Sequence, residues 1–138
     1  MTTDFMDAHE RHWEDAEHLF GIGRLANADQ LYGLSAECGL KRLMLRFGMA
    51  FDQGKERPSE FDDRCHANGV WSRFESYRSG HPEGTGYALS SHNPFSDWAV
   101  SQRYFHRSHI DRGRTRAHKE GALEVRNLVG KARREGLL

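Results

Sequence analysis

Between Ser101 and His118 the chain reads SQRYFHRSHIDRGRTRAH, with arginine and histidine at a repeated offset: Arg103 and His109 are six apart, and so are Arg112 and His118. These two residue types together suit one kind of chemistry. Histidine ionises near neutral pH and can move protons. Arginine sets a planar fork of donors on phosphoryl oxygens. RNA brings its own nucleophile, the 2′-hydroxyl, so what an enzyme that cuts its backbone must add is a proton carrier and a fixed positive charge, and an Arg–His pair offers both. A six-residue offset turns a continuous helix by ~240°. Neither pair can share one face of an unbroken helix, so a bend or loop near Asp111–Gly113 is required.

Other constellations carry less. HERH places His9 and His12 three apart, whereas the zinc motif HExxH needs four with Glu between. His9 falls on an apolar stripe with Trp13 and reads as a hydrogen-bonded core histidine. A di-metal bundle would want Glu-x-x-His on two helices, and the nearest matches here use the shorter acid, Asp15 before His18 and Asp63 before His66. No metal site is expected. GIGRLA, Gly21–Ala26, has the look of a dinucleotide loop but lacks a preceding strand, and an interhelical turn explains its glycines. Gly84-Thr85-Gly86 is a weak phosphate-loop signal with no lysine and helix after it.

The elements that must position these residues read as helices. Phe5, His9, Trp13, Ala16 and Phe20 recur at three- and four-residue steps, with Glu10, Glu14, Asp15 and Glu17 on the other face. Leu25 to Gly48 is apolar around most of its circumference and carries small residues, which suits a central helix. Glu37 and Lys41 form an i,i+4 pair within it. Residues 49–61 read as a polar loop interrupted by Pro58. A third helix carries His66, Val70, Trp71, Phe74 and Tyr77, and a short one is expected from about Ser96 to Tyr104. The last, near Thr115 to Glu135, has a narrow stripe through His118, Ala122, Val125, Val129 and Ala132. The fold expected is all-α, a single domain over residues 1–138 with four to five helices.

Charge sums to zero over the chain but is unevenly placed. Residues 1–37 hold two Arg/Lys against eight Asp/Glu, while residues 103–138 hold ten against four. The basic end suits a polyanion; alternatively, the two ends pack together and neutralise one another. Cys38 and Cys65 match no disulfide or zinc spacing, and Cys38 reads as a packed free thiol. No stretch approaches the ~20 apolar residues of a membrane span. A soluble, cytoplasmic protein without a membrane partner or a cofactor is the expectation.

GRLANADQLYGLSAECGLKRLM (Gly23–Met44) and DWAVSQRYFHRSH (Asp97–His109) resemble the HEPN family, the higher-eukaryote and prokaryote nucleotide-binding domain. The resemblance rests on Ala28, Leu31, Gly33, Ser35, Glu37, Cys38, Leu40 and Lys41, then on Trp98, Arg103 and Tyr104, and spans roughly Trp13 to the C-terminus. It implies an antiparallel helical bundle that dimerises, with Arg and His of an R-x(4–6)-H motif meeting in one cleft. It also implies metal-independent RNA cleavage, often by a toxin or defence effector held in check by a nucleotidyltransferase antitoxin. Other members bind a nucleotide or a partner without cutting.

Trp98 and Tyr104 place Arg103 in the family context, so Arg103 is expected to stabilise the phosphate and His109 to act as general acid and base. Arg107, Arg112 and Arg114 would hold the RNA backbone. Tyr104, His106, Arg112 and His118 are secondary candidates; Tyr104 could stack on a base, and His118 lies on an apolar stripe. The sequence departs from the commonest active pattern, since Tyr104 stands where Asn more often follows the Arg.

Overall fold

The computed structural model describes residues 1–138. Four α-helices form it: α1 (Phe5–Gly21), α2 (Leu25–Arg46), α3 (Ala67–Ser79) and α4 (Arg112–Arg134). α2 is the central element, buried along most of its length, and the other three pack on it. Asp4 caps α1 by accepting from Asp7 N at 3.0 Å. Gly23, at φ +79°, turns the chain from α1 into α2 within three residues.

The pairings give the directions. His9 meets Ser35, and Trp13 and Phe20 meet Tyr32, so α1 runs antiparallel to α2. Asp29 meets His118, and Val125 lies against Gly39, so α2 and α4 run the same way. The antiparallel arrangement therefore describes α1 against its neighbours, while the long connection from α2 back to α4 allows the parallel pair.

The unequal charge along the chain is largely resolved by packing. Glu10 pairs with Arg133 and Glu17 with Lys119, while Arg112 and Lys119 lie over Phe20 and Arg126 over Trp13. The acidic face of α1 thus lies along the basic face of α4. Within α2, Lys41 donates to Glu37 at 2.9 Å as the spacing suggests, and His66 reaches the same carboxylate at 3.3 Å.

Two stretches differ from the sequence reading. Residues 49–61 contain a small hairpin, β1 (Phe51–Asp52) against β2 (Arg57–Pro58), with Phe51 opposite Pro58. Asp52 Oδ1 accepts from Lys55 N at 3.0 Å and closes the turn. Residues 96–104 do not form an α-helix: a turn is followed by a 3₁₀ helix over Val100–Tyr104. The reason is the demand of the core. Trp98 must reach into α2 over Gly33, its Nε1 donating to the Asp29 carbonyl at 3.2 Å, while Phe95 is buried against Trp71 and His118. No helix of the chain is long and apolar enough to cross a membrane.

Candidate nucleic-acid interface

The segment from Val100 to Asp111 consists of two 3₁₀ turns, Val100–Tyr104 and Arg107–His109, anchored at one end by Gln102 and at the other by buried Ile110. Between the anchors the side chains are exposed. Tyr104 is 77% and Phe105 51% exposed, adjacent rings on one surface. The Arg103 guanidinium lies over the Tyr104 ring at 4.9 Å. His106 opens the second turn, its Nδ1 accepting from Ser108 N at 3.2 Å.

Opposite this segment is the start of α2. Arg24, the first residue outside that helix, gives no side-chain cap. The leading N–H groups of a 22-residue helix are therefore left without a side-chain partner at this end, where they favour negative charge. The two walls enclose a groove of about 600 Å³ lined by Arg24, Asn27, Tyr104, Phe105, His106 and Arg107, among others. Cations, exposed rings and a helix N-terminus share one concavity, a combination with the chemistry to take up anionic groups and planar rings.

The sequence candidates are distributed unevenly around it. Arg107, Tyr104 and His106 line the groove. His109 lines a second, smaller hollow of about 320 Å³ with Phe105, Ile110 and Arg114. Arg103 lines neither, its guanidinium packing instead on the Tyr104 ring. Within one chain Arg103 and His109 thus sit on separate turns, and neither hollow joins them. Arg112 and His118 both lie on the unbroken α4, so their offset turns them apart: Arg112 covers Phe20, whereas His118 points inward.

His118 is 1% exposed and sits between two carboxylates. Its Nδ1 is 2.7 Å from Asp29 Oδ2 and its Nε2 is 2.8 Å from Asp97 Oδ1, with the ring stacked on Phe95. Carboxylates only accept hydrogen bonds, so two such contacts require both ring nitrogens to carry protons. Burial works against that charge, but the hydrogen bonds and attraction of Asp29 and then Asp97 outweigh it and raise the His118 pKa. Asp29 also accepts from Gln102 Nε2, and Arg114 donates to Asp97 Oδ2 at 3.0 Å. Alternating charges on Asp29, His118, Asp97 and Arg114 thereby join α2, the 97–102 turn and α4. Arg114 is committed to this network rather than to the groove.

Sequence reasoning missed Asp29, Gln102 and Arg24. Asp29 left a signal, a carboxylate in an otherwise apolar central helix; Arg24 left none, because its partners in the groove lie far along the chain. No cluster of three or more His, Cys, Asp or Glu side chains is placed to hold a metal ion, and Asp63 is taken up by Arg73 and Tyr77. Comparisons with family models, curated proteins and solved structures find no match to the chain.

Proposed function

We propose that the chain is an HEPN-like RNA-handling protein that takes single-stranded RNA into the groove between the start of α2 and the 104–107 segment. The observation that carries this reading is the exposed pair Tyr104 and Phe105 set beside Arg24 and Arg107. Single strands are held by aromatic stacking and backbone-tracking cations, and this groove offers both.

The reaction proposed is metal-independent cleavage. The 2′-hydroxyl would attack the adjacent phosphate and break its P–O5′ bond, leaving a 2′,3′-cyclic phosphate; His109 would take the 2′-hydroxyl proton and return one to the departing 5′-oxygen, while Arg103 would steady the phosphoryl oxygens. Neither hollow of one subunit is lined by both side chains, and the cleavage reading therefore includes a homodimer in which a second copy completes the centre. A toxin or defence role in the cytoplasm, with a nucleotidyltransferase covering the exposed 103–109 surface, extends the same proposal. A second reading, binding without cutting, is favoured by Tyr104 following Arg103 and by the packing of one on the other.

The test is incubation of labelled RNA with the purified protein in EDTA. Cleavage by the unmodified protein is expected to persist in the chelator. His109→Ala is expected to lower it by about 10²–10⁴, the range for a lost general acid or base, and Arg103→Ala by about 10²–10³, the range for one lost oxyanion donor. Cleavage that requires an added metal ion contradicts the mechanism, and RNA that is bound but never cut selects the second reading.

A further inference from the structure

A second basic concavity lies between α1 and α4, away from the groove. His9 forms part of its wall and is 1% exposed. Its Nδ1 contacts the Ser35 backbone carbonyl at 2.8 Å, and a carbonyl only accepts, so Nδ1 carries the proton. The Ser35 hydroxyl is already spent, donating to the His9 carbonyl at 2.8 Å. Nε2 is therefore a bare lone pair, buried and without any partner in the chain. A buried acceptor in that state costs about 1–3 kcal/mol.

The remaining wall is cationic. Arg126, Arg133 and Arg134 line the crevice with Glu10, in a volume of about 290 Å³. Glu10 engages Arg133, but Arg126 and Arg134 have no carboxylate partner, and Arg126 touches only the face of Trp13. Gly130 opens the space: a Cβ there would meet Arg134 Nη1 at 3.4 Å, so that guanidinium lies over the glycine.

The chemistry of the lining selects the ligand. Guanidinium groups only donate, so they want the oxygens of an anion. His9 Nε2 only accepts, so it wants a donor. Burial first, and then the charges of Arg126 and Arg133, lower the His9 pKa and hold the ring in this neutral form. An oxyanion that keeps a hydroxyl meets both demands, whereas sulfate and carboxylate meet only one. We propose that this crevice binds a hydrogen phosphate group, its oxygens on Arg126 and Arg134 and its hydroxyl donated to His9 Nε2 once the side chains that cover the ring give way to it. The site does not depend on RNA binding in the groove.

Two sources present this group. Inorganic phosphate keeps a hydroxyl throughout the neutral and alkaline range, whereas a terminal phosphomonoester loses its last one above about pH 6. The experiment is histidine-selective ¹H–¹⁵N NMR on the full chain, titrated with sodium phosphate or sodium sulfate at matched ionic strength. Phosphate is expected to shift the His9 Nε2 resonance and saturate, with sulfate weaker by about tenfold or more. Arg126→Gln and Arg134→Gln should each weaken phosphate similarly. Gly130→Leu, which fills the crevice and removes no charge, should abolish the shift in a protein whose circular dichroism is unchanged. Adenosine 5′-monophosphate, the monoester probe, should bind on the acid side of its second ionisation and fade on the alkaline side, while inorganic phosphate binds on both. Equal response to sulfate and phosphate, or a His9 resonance that neither anion moves, overturns the proposal.

Discussion

Replacing Asp29 with asparagine is expected to destabilise the protein by about 3–5 kcal/mol, the cost of removing one partner from a buried ion pair. Both neighbours of its carboxylate are donors, His118 Nδ1 on one oxygen and Gln102 Nε2 on the other. An asparagine must present its own NH₂ to one of them. The result is either two opposed donors or an imidazole stripped of its proton, and Asp97, 58% exposed, is too well solvated to compensate. Total stability for such a domain is about 5–15 kcal/mol, so the midpoint of thermal unfolding should fall by roughly 10–20 °C.

The same network fixes a pH dependence. The His118 pKa is raised in the folded state. Its contribution is therefore fully present below the usual histidine value of about 6.5, and is lost as pH rises through the higher folded value. Asp97 acts in the opposite sense. Burial pushes its pKa up, but His118 and Arg114 outweigh that and hold it low. Its contribution is present above the ordinary carboxylate range and is lost as pH falls through the depressed folded value. Urea unfolding across neutral pH should show stability declining on the alkaline side, and Asp29→Asn should flatten that decline. An unchanged slope in the variant would show that His118 is not the titrating group.

Gly33→Ala should be nearly as damaging, although alanine is the better helix former by about 1 kcal/mol. An added Cβ would stand 2.1 Å from Trp98 Cε2 and 2.2 Å from Nε1. The indole cannot swing aside cheaply, because Nε1 is bonded to the Asp29 carbonyl and the ring is 1% exposed. Overpacking of this kind costs about 1–3 kcal/mol, and expelling the ring forfeits its burial as well. A net loss of about 2–4 kcal/mol is expected from these terms. Measured in a Trp98→Ala background, the same substitution should cost little or become favourable. A full-sized penalty in that background would mean that Gly33 is needed for some other contact.

These two positions also mark how far the sequence could be read. The stripe from Phe5 to Phe20 and the apolar run of α2 announced their helices, because burial on one face imposes a period of 3.6 residues. The interhelical turn at Gly21–Gly23 was equally legible. Residues 96–104 were not, since Trp98 and Gln102 are placed by their partners on α2 rather than by local preference. The pairing of Arg103 with His109 was a statement about spacing, and spacing does not say which way two 3₁₀ turns face. Arg24 and the rings of Tyr104 and Phe105 meet only because α1 and α2 form a hairpin that brings the start of α2 under the 104–107 segment.

The central claim is that this groove binds single-stranded RNA. Fluorescence anisotropy of a labelled oligoribonucleotide, measured over a salt series, tests it most directly. Tyr104→Ala and Phe105→Ala should each weaken binding by about 1–3 kcal/mol, the value of one stacked base. The Arg24→Ala/Arg107→Ala pair should also shallow the salt dependence, by about 0.7 for each phosphate contact removed. Affinity and salt slope that stay at wild-type values in all three well-folded variants would place RNA elsewhere and contradict the account.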